Sequence, residues 1–489
     1  MQVGSIKTNL ILSTAYQFLT LITPFITAPY IARILGADGV GIASYTGSIE
    51  MYFSLFAALG TASYGMREIA RVRNNQEKRS QLFWEIQMLA FISTLICLVL
   101  WFLWISFVNQ YQLYYVFWTM TLAAVMFDIS WLYMGLEQFQ YIVYRNAFFK
   151  ILGVIALFLF VRNHDDVGVY IAITSASTLL GNISMWYYIP RFVHKVDWRK
   201  LSIRKHFKET LIYFLPTVAT SIYTVLDKTL LGVIIGSAVE NGYYEQTTKI
   251  IRMAQSLTFS ALNNVLGARI SFLFAEKKFE EIHERIRKSM DYIFFMGFGM
   301  TFGIIGIADV FVPWFFGTGY GKVVPLLQMM SPIILIIGVS NCLGSQYYNP
   351  AGLRKTSARF IIIGSIVNLA LNLILIPRYE SYGTVLGSLA AESIITILYF
   401  AFCGDYLTLK ILMQLSWRKI IASFFMLVIL KGIYYVAGNG FKVLISQIIA
   451  GGLTYIIILY VLKDTFVDFF IKRMILGKIQ KLWRHKING

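Results

Sequence analysis

Charge is scarce in this 489-residue chain: 14% of its residues are Asp, Glu, Lys or Arg, against about 25% in a soluble globular protein. Cysteine and proline are scarce too, with three and nine copies. Cys97, Cys342 and Cys403 are too few and too far apart for a secreted disulfide scaffold, and nine prolines exclude a collagen-like chain. The five histidines (His164, His194, His206, His283, His485) read as loop or tail residues and lack metal-ligand spacing. A Walker A phosphate loop is missing, so ATP hydrolysis by this chain is not expected. Long polar loops are missing as well, which leaves no room for a soluble catalytic module. The expectation is no catalytic residue, no metal and no cofactor.

Apolar residues are abundant. They make up 57% of the chain, aromatics 16%, and the mean hydropathy is +0.64. About 20 apolar residues cross a bilayer as a helix. Fourteen such segments can be read, at 9–32, 40–62, 83–108, 113–134, 147–161, 167–189, 210–235, 244–272, 290–308, 327–346, 357–376, 384–403, 420–437 and 443–462. Their runs are continuous, where the strands of a membrane barrel would alternate in pieces of about ten residues. The fold class is therefore an all-α polytopic membrane protein with about 14 transmembrane helices.

The net charge of +18 follows from topology. Thirty-three of the 43 basic residues lie on one side, in the termini and alternate loops or at the segment ends beside them. That set includes Arg145, Lys150 and Lys419. The opposite loops hold five: Arg33, Arg162, Lys322, Arg378 and Lys442. Lys and Arg accumulate on the cytoplasmic side, so both termini are expected there, and nucleic acid is not an expected partner.

Two sequence echoes suggest a repeat. LGADGVGIASY (35–45) returns as IGSAVENGYY (235–244), and FFKILGVIALFLF (148–160) as RFIIIGSIVNLAL (359–371). Both offsets span six segments, the period of a parallel transporter repeat. The chain then divides into two pseudo-symmetric six-helix lobes, 1–205 and 206–405, and an extra helix pair with a basic tail, 406–489.

Charge inside the bilayer costs about 2.5–3.5 kcal/mol per residue on insertion scales, so such residues usually face a partner or a cavity. Glu245, Lys249 and Arg252 stand at i, i+4 and i+7, and Asn263 continues the stripe. Asp227 and Lys228 lie in the preceding segment. Arg33 sits where the first segment leaves the bilayer. These seven residues are the substrate-binding candidates. Asp128, Asp227 and Glu392 are candidates for ion coupling. Asn368 and Asn372, four apart, read as helix packing. Pro24 and Pro29 bend the first segment and are candidates for a gate.

The stretches ARILGADGVGIASY (32–45), YYEQTTKIIR (243–252), YYNPAGLRKTSAR (347–359) and NLALNLILIPRYESYGTVLGSLAAE (368–392) carry a resemblance over nearly the whole chain. The chain resembles Wzx-type polysaccharide flippases. These are the polysaccharide-transport branch of the multidrug/oligosaccharidyl-lipid/polysaccharide (MOP) exporter superfamily. The resemblance implies two six-helix lobes in a V around a central cavity, alternating access, and an undecaprenyl-pyrophosphate-linked oligosaccharide as substrate. It also implies a bacterial cytoplasmic membrane location, membrane lipids as surroundings, and a polysaccharide polymerase or other assembly proteins as partners. Coupling to Na⁺, H⁺ or the membrane potential would drive transport. The alternatives are a multidrug or lipid II exporter of the same fold and a membrane polysaccharide polymerase.

Overall fold

The computed structural model describes residues 6–468, with side chains described except at 6–18, 21, 200, 215–217, 219–224, 260–269 and 271. Asn263 and the tail from 469 onward lie outside what is described. Among the described residues there is no strand, and helices carry the whole fold. The chain forms two compact units, Met1–Glu245 and Gln246–Gly489.

The first unit contains α1 (Ile6–Ala58), α2 (Thr61–Val72), α3 (Gln76–Phe107), α4 (Gln112–Met126), α5 (Ser130–Gly135), α6 (Phe139–Phe160), α7 (Val167–Ser184) and α8 (Arg204–Ile235). It ends within α9 (Ala238–Ala275). The second unit continues with α10 (Phe279–Phe316), α11 (Val323–Met330), α12 (Ile333–Leu343), α13 (Arg354–Ala401), α14 (Leu409–Ala437) and α15 (Phe441–Val461). Nine helical stretches among the described residues are long and apolar enough to cross a membrane. Their outer faces carry exposed Leu, Ile, Val and Phe in rows, such as Leu95, Ile96, Val99 and Leu103 on α3. A water-facing surface rarely tolerates such patches, and lipid requires them. The protein is a multi-pass membrane protein.

All fourteen apolar segments fall on helices. Two share α1 and two share α13, each pair parted by a single non-helical residue. In α1 that residue is Gly36 (φ 67°, ψ 179°), a conformation that glycine reaches without a Cβ penalty. The backbone thus leaves the helix at Gly36, beyond Pro24 and Pro29, which both sit within helical turns. In α13 the residue is Glu380 (φ 52°), whose carboxylate is 2.5 Å from Lys322 Nζ. Across that break the two halves close tightly. Asn368 and Asn372 are fully buried, Asn372 Nδ2 donates to Asn368 Oδ1 at 3.2 Å, and a Cβ on Gly387 would lie 2.5 Å from Asn372 Oδ1.

The structure departs from several sequence expectations. Hydropathy starts the fifth segment at 147. Instead α6 begins at Phe139, which places Arg145 inside a membrane helix rather than in a loop and puts Lys150 near the middle of that helix rather than at its start. Likewise α14 begins at Leu409, so Lys419 lies inside a helix and is fully buried. His206 and His283 are helical, not in loops. His206 is buried, with Nδ1 2.7 Å from Tyr64 Oη and Nε2 2.7 Å from Glu85 Oε2. Glu85 also accepts from Ser202 N at 2.8 Å, which ties the chain entering α8 onto α3. Residues 61–72 form α2, an amphipathic helix where a loop was expected.

Candidate functional site

The two copies of the first sequence echo touch each other. A Cβ on Gly41 would fall 1.6 Å from Ala238 O, and one on Gly242 would fall 1.9 Å from Ala37 O. The two contacts are equivalent: a shift of 201 residues carries Ala37 onto Ala238 and Gly41 onto Gly242. Such a reciprocal contact is the signature of a local two-fold axis. Small residues let the α1 and α9 backbones meet there, as at other membrane helix crossings.

A polar cluster is built beside this crossing. Ser44 Oγ donates to Glu245 Oε2 at 3.0 Å, and Lys228 forms an ion pair with the same carboxylate oxygen. Tyr244 Oη donates to Asp227 Oδ2 at 2.6 Å. Ser48 and Thr229 hydroxyls are 2.9 Å apart, and Thr229 reaches Tyr52 Oη at 3.3 Å. Thus α1 offers Ser44, Ser48 and Tyr52 at four-residue spacing, the first to Glu245 of α9 and the other two to Thr229 of α8. Asp227 and Lys228 each find a partner on α9. The Lys228 and Glu245 side chains are only 15% and 19% exposed. A double-mutant cycle of Lys228→Met and Glu245→Gln, read by thermal unfolding, is expected to show a coupling of about 1–3 kcal/mol. Additive single effects would contradict the pairing.

The remaining candidates fall on several elements of the two units. Arg33 is exposed on α1, three residues before the Gly36 break. Lys249 is half-buried and Arg252 exposed, both on α9. Asp128 sits between α4 and α5 and accepts from Ser130 N, at the first residue of α5, at 2.9 Å. Glu392 is half-buried on α13, and Pro24 and Pro29 are half-buried on α1.

Sequence reading missed two features. A cavity of about 370 Å³ lies between α1, α6 and α7 and is lined by Arg145 and Lys150. In the second unit, Lys419 Nζ bridges Asp291 Oδ1 (2.6 Å) and Asp464 Oδ2 (2.8 Å). The available signal was length: the fifth segment is short for a span, and extending it back to 139 gives a full-length helix with Arg145 inside it and Lys150 near its middle.

Comparison with known proteins adds the following. Residues 6–274 match the profile of a family described as "Polysaccharide biosynthesis protein". A protein of Escherichia coli (strain K12) named "Putative O-antigen transporter" is 23% identical over 405 residues, which is 81% of this chain and 96% of that protein. A protein of Shigella dysenteriae with the same name is 24% identical over 396 residues, 80% of this chain and 98% of that one. Among solved structures, lipid II flippase MurJ in an inward closed conformation superposes with a TM-score of 0.74 at 18% identity. That alignment covers 94% of this chain and all of MurJ's. An inward-facing multidrug resistance MATE transporter of the MOP superfamily gives a TM-score of 0.56 at 11% identity, covering 84% of this chain and 96% of its own. The fold is shared with these transporters.

Proposed function

Because the chain belongs to the polysaccharide biosynthesis protein family, and is a multi-pass membrane protein with a MOP-type transporter fold, we propose that it is a flippase for lipid-linked oligosaccharides. In a bacterium it would work in the cytoplasmic membrane. Its substrate would be an undecaprenyl-pyrophosphate-linked repeat unit, moved by alternating access for surface polysaccharide synthesis. The observation that carries this reading is the family match over more than half of the chain. The near-full-length likeness to relatives named as O-antigen transporters supports it.

The physical problem fits such a protein. A pyrophosphate and a hydrated sugar cannot cross about 30 Å of hydrocarbon unaided. Cations on membrane helices lower that barrier, and Arg and Lys suit phosphate oxygens. In this proposal Arg33, Lys249, Arg252 and Asn263 contact the headgroup, while Asp227, Lys228 and Glu245 hold their helices in register beside it. Asp128, Asp227 or Glu392 couples transport to Na⁺, H⁺ or the membrane potential. Pro24 and Pro29 ease the gating motion of α1. No covalent step is needed, so the protein is a carrier and not an enzyme. The six-helix division at 205 and 405 and a polysaccharide polymerase partner belong to the same proposal.

The test is the sidedness of the lipid-linked intermediate in cells depleted of the protein, probed from outside by a membrane-impermeant sugar-cleaving enzyme. The proposal expects the intermediate to accumulate and stay protected. An intermediate that appears outside without being extended would point to a polymerase. Unchanged pools would point to a drug or other solute exporter. In the same assay Arg252→Ala is expected to lose most transport at equal membrane levels, and Arg252→Lys to keep part of it. Full transport by the alanine variant would remove Arg252 from the pathway.

A further inference from the structure

The cavity between α1, α6 and α7 has a chemistry that the residues above do not use. Its lining among the described residues includes two cations, Arg145 and Lys150, and no Asp or Glu. Lys150 is the twelfth of the 22 residues of α6. It therefore stands midway along a span of mean hydropathy 1.8, where a charge is costly and the reach to either interface is longest. The opposite face of α6 presents exposed Phe148, Ile151, Leu152 and Ile155, which places the helix at the lipid boundary. Lys150 is half-buried and forms no ion pair with any described residue.

The surroundings are built to take an anion. Arg145 Nη1 donates to Asn182 Oδ1 at 2.7 Å, and Asn182 Nδ2 donates to Ala124 O at 2.8 Å. The guanidinium is thereby held from behind. Lys150 follows Arg145 by five residues, less than one and a half turns. Asn146 and Ser177 add neutral donors to the same cavity. Two glycines keep it open: a Cβ on Gly181 would lie 3.4 Å from Arg145 Nη1, and one on Gly153 would lie 2.8 Å from Ser177 Oγ. A paired cation at this depth would be structural. A cation with neutral donors and a fixed arginine beside it leaves its charge to a ligand.

We propose that this cavity binds the phosphate-bearing headgroup of a membrane lipid, with Lys150 holding the oxyanion and Arg145 as the second charged donor. The assignment rests on the flippase reading only for which lipid it is. A polyprenyl pyrophosphate and a bulk anionic phospholipid share the chemistry.

The experiment uses the purified full-length protein in a neutral detergent, titrated with farnesyl pyrophosphate and read by thermal unfolding and native mass spectrometry. Farnesyl pyrophosphate is expected to raise the unfolding temperature, whereas farnesol is not. Lys150→Gln is expected to weaken binding at least about tenfold, the loss of one charge-assisted contact, and Lys150→Arg to retain most of it. Without ligand, Lys150→Gln is expected to unfold no earlier than wild type, since it removes a charge that lacks a partner. Phosphatidylglycerol is titrated in parallel. Binding of comparable strength with the same Lys150 dependence names bulk lipid as the source. Binding confined to the pyrophosphate names the substrate lipid. Equal farnesyl pyrophosphate affinity in wild type and Lys150→Gln would overturn the proposal. Because this readout is binding, it can fail while the sidedness result in cells stands, or hold while that result fails.

Discussion

Replacing Lys419 with methionine is expected to cost the folded state about 3–5 kcal/mol, the price of breaking a buried ion pair from one side. Lys419 is fully buried on α14, and all three of its protons have acceptors. These are Asp291 Oδ1 at 2.6 Å on α10, Asp464 Oδ2 at 2.8 Å just after α15, and Leu415 O at 2.9 Å. The carboxylates are fixed in turn. Thr465 Oγ1 donates to Asp291 Oδ2 at 2.7 Å, and Phe466 N donates to Asp464 Oδ1 at 3.1 Å. One ammonium therefore locks α14 and the end of α15 onto α10, at the edge of an apolar core that includes Met426, Leu430 and Tyr455. Methionine preserves most of the stem's packing, so the loss isolates two buried carboxylates left without their cation. Thermal unfolding of the purified variant checks this. The triple change Lys419→Met, Asp291→Asn, Asp464→Asn is expected to recover most of the loss, because neutral groups carry less desolvation cost. A single methionine variant as stable as wild type would contradict the ion cluster.

The second large effect is expected at the glycine crossing of α1 and α9. Gly41→Leu and Gly242→Leu are each expected to cost more than about 4 kcal/mol, the range in which single changes unfold domains. The reason is steric. At both positions even a Cβ would overlap a backbone carbonyl oxygen, at 1.6 and 1.9 Å, and backbone cannot turn aside as a side chain can. Separating the helices would also pull Ser44 from Glu245. Gly432 on α14 is the control, since a Cβ there meets nothing within 4 Å. Gly432→Ala is expected to be neutral or slightly stabilising, as helix propensity favours alanine. Size-exclusion profiles of the three variants read the difference. A normal monodisperse peak for Gly41→Leu would mean that the helices do not cross there.

Much of the fold is legible in the sequence because lipid imposes a simple rule. Every span must be long, apolar and helical, so hydropathy finds the helices. The gaps between adjacent segments also fall at the breaks at Gly36 and Glu380. The repeat echo is legible because both copies need glycine for the same reason, the close approach of two backbones. What hydropathy hides is a charge at the edge of an apolar run whose helix continues beyond it. Arg145, Lys150 and Lys419 each look like the flank of an apolar run, so a rule that places cations at membrane edges pushes them into loops. Only the third dimension separates them, with Lys419 between two carboxylates and Lys150 beside a cavity. Burial of His206 against Glu85 is hidden for a related reason, since its partners are 142 and 121 residues away in sequence. The charges of α8 and α9 stand out at helical spacing, but their pairing does not. Asp227 and Lys228 are adjacent in sequence, yet they turn to Tyr244 and Glu245 on the next helix.

The most direct test of the account is reconstitution. The purified protein is placed in liposomes that carry a lipid-linked oligosaccharide in both leaflets. An impermeant glycosidase then reports how much of it can be reached from outside. The account predicts that the inner-leaflet pool becomes accessible when the protein is present, and stays protected in empty liposomes or with a protein that does not move lipids. An inner pool that stays protected under an imposed membrane potential, Na⁺ gradient and pH gradient, each tried in turn with folded protein, would contradict it.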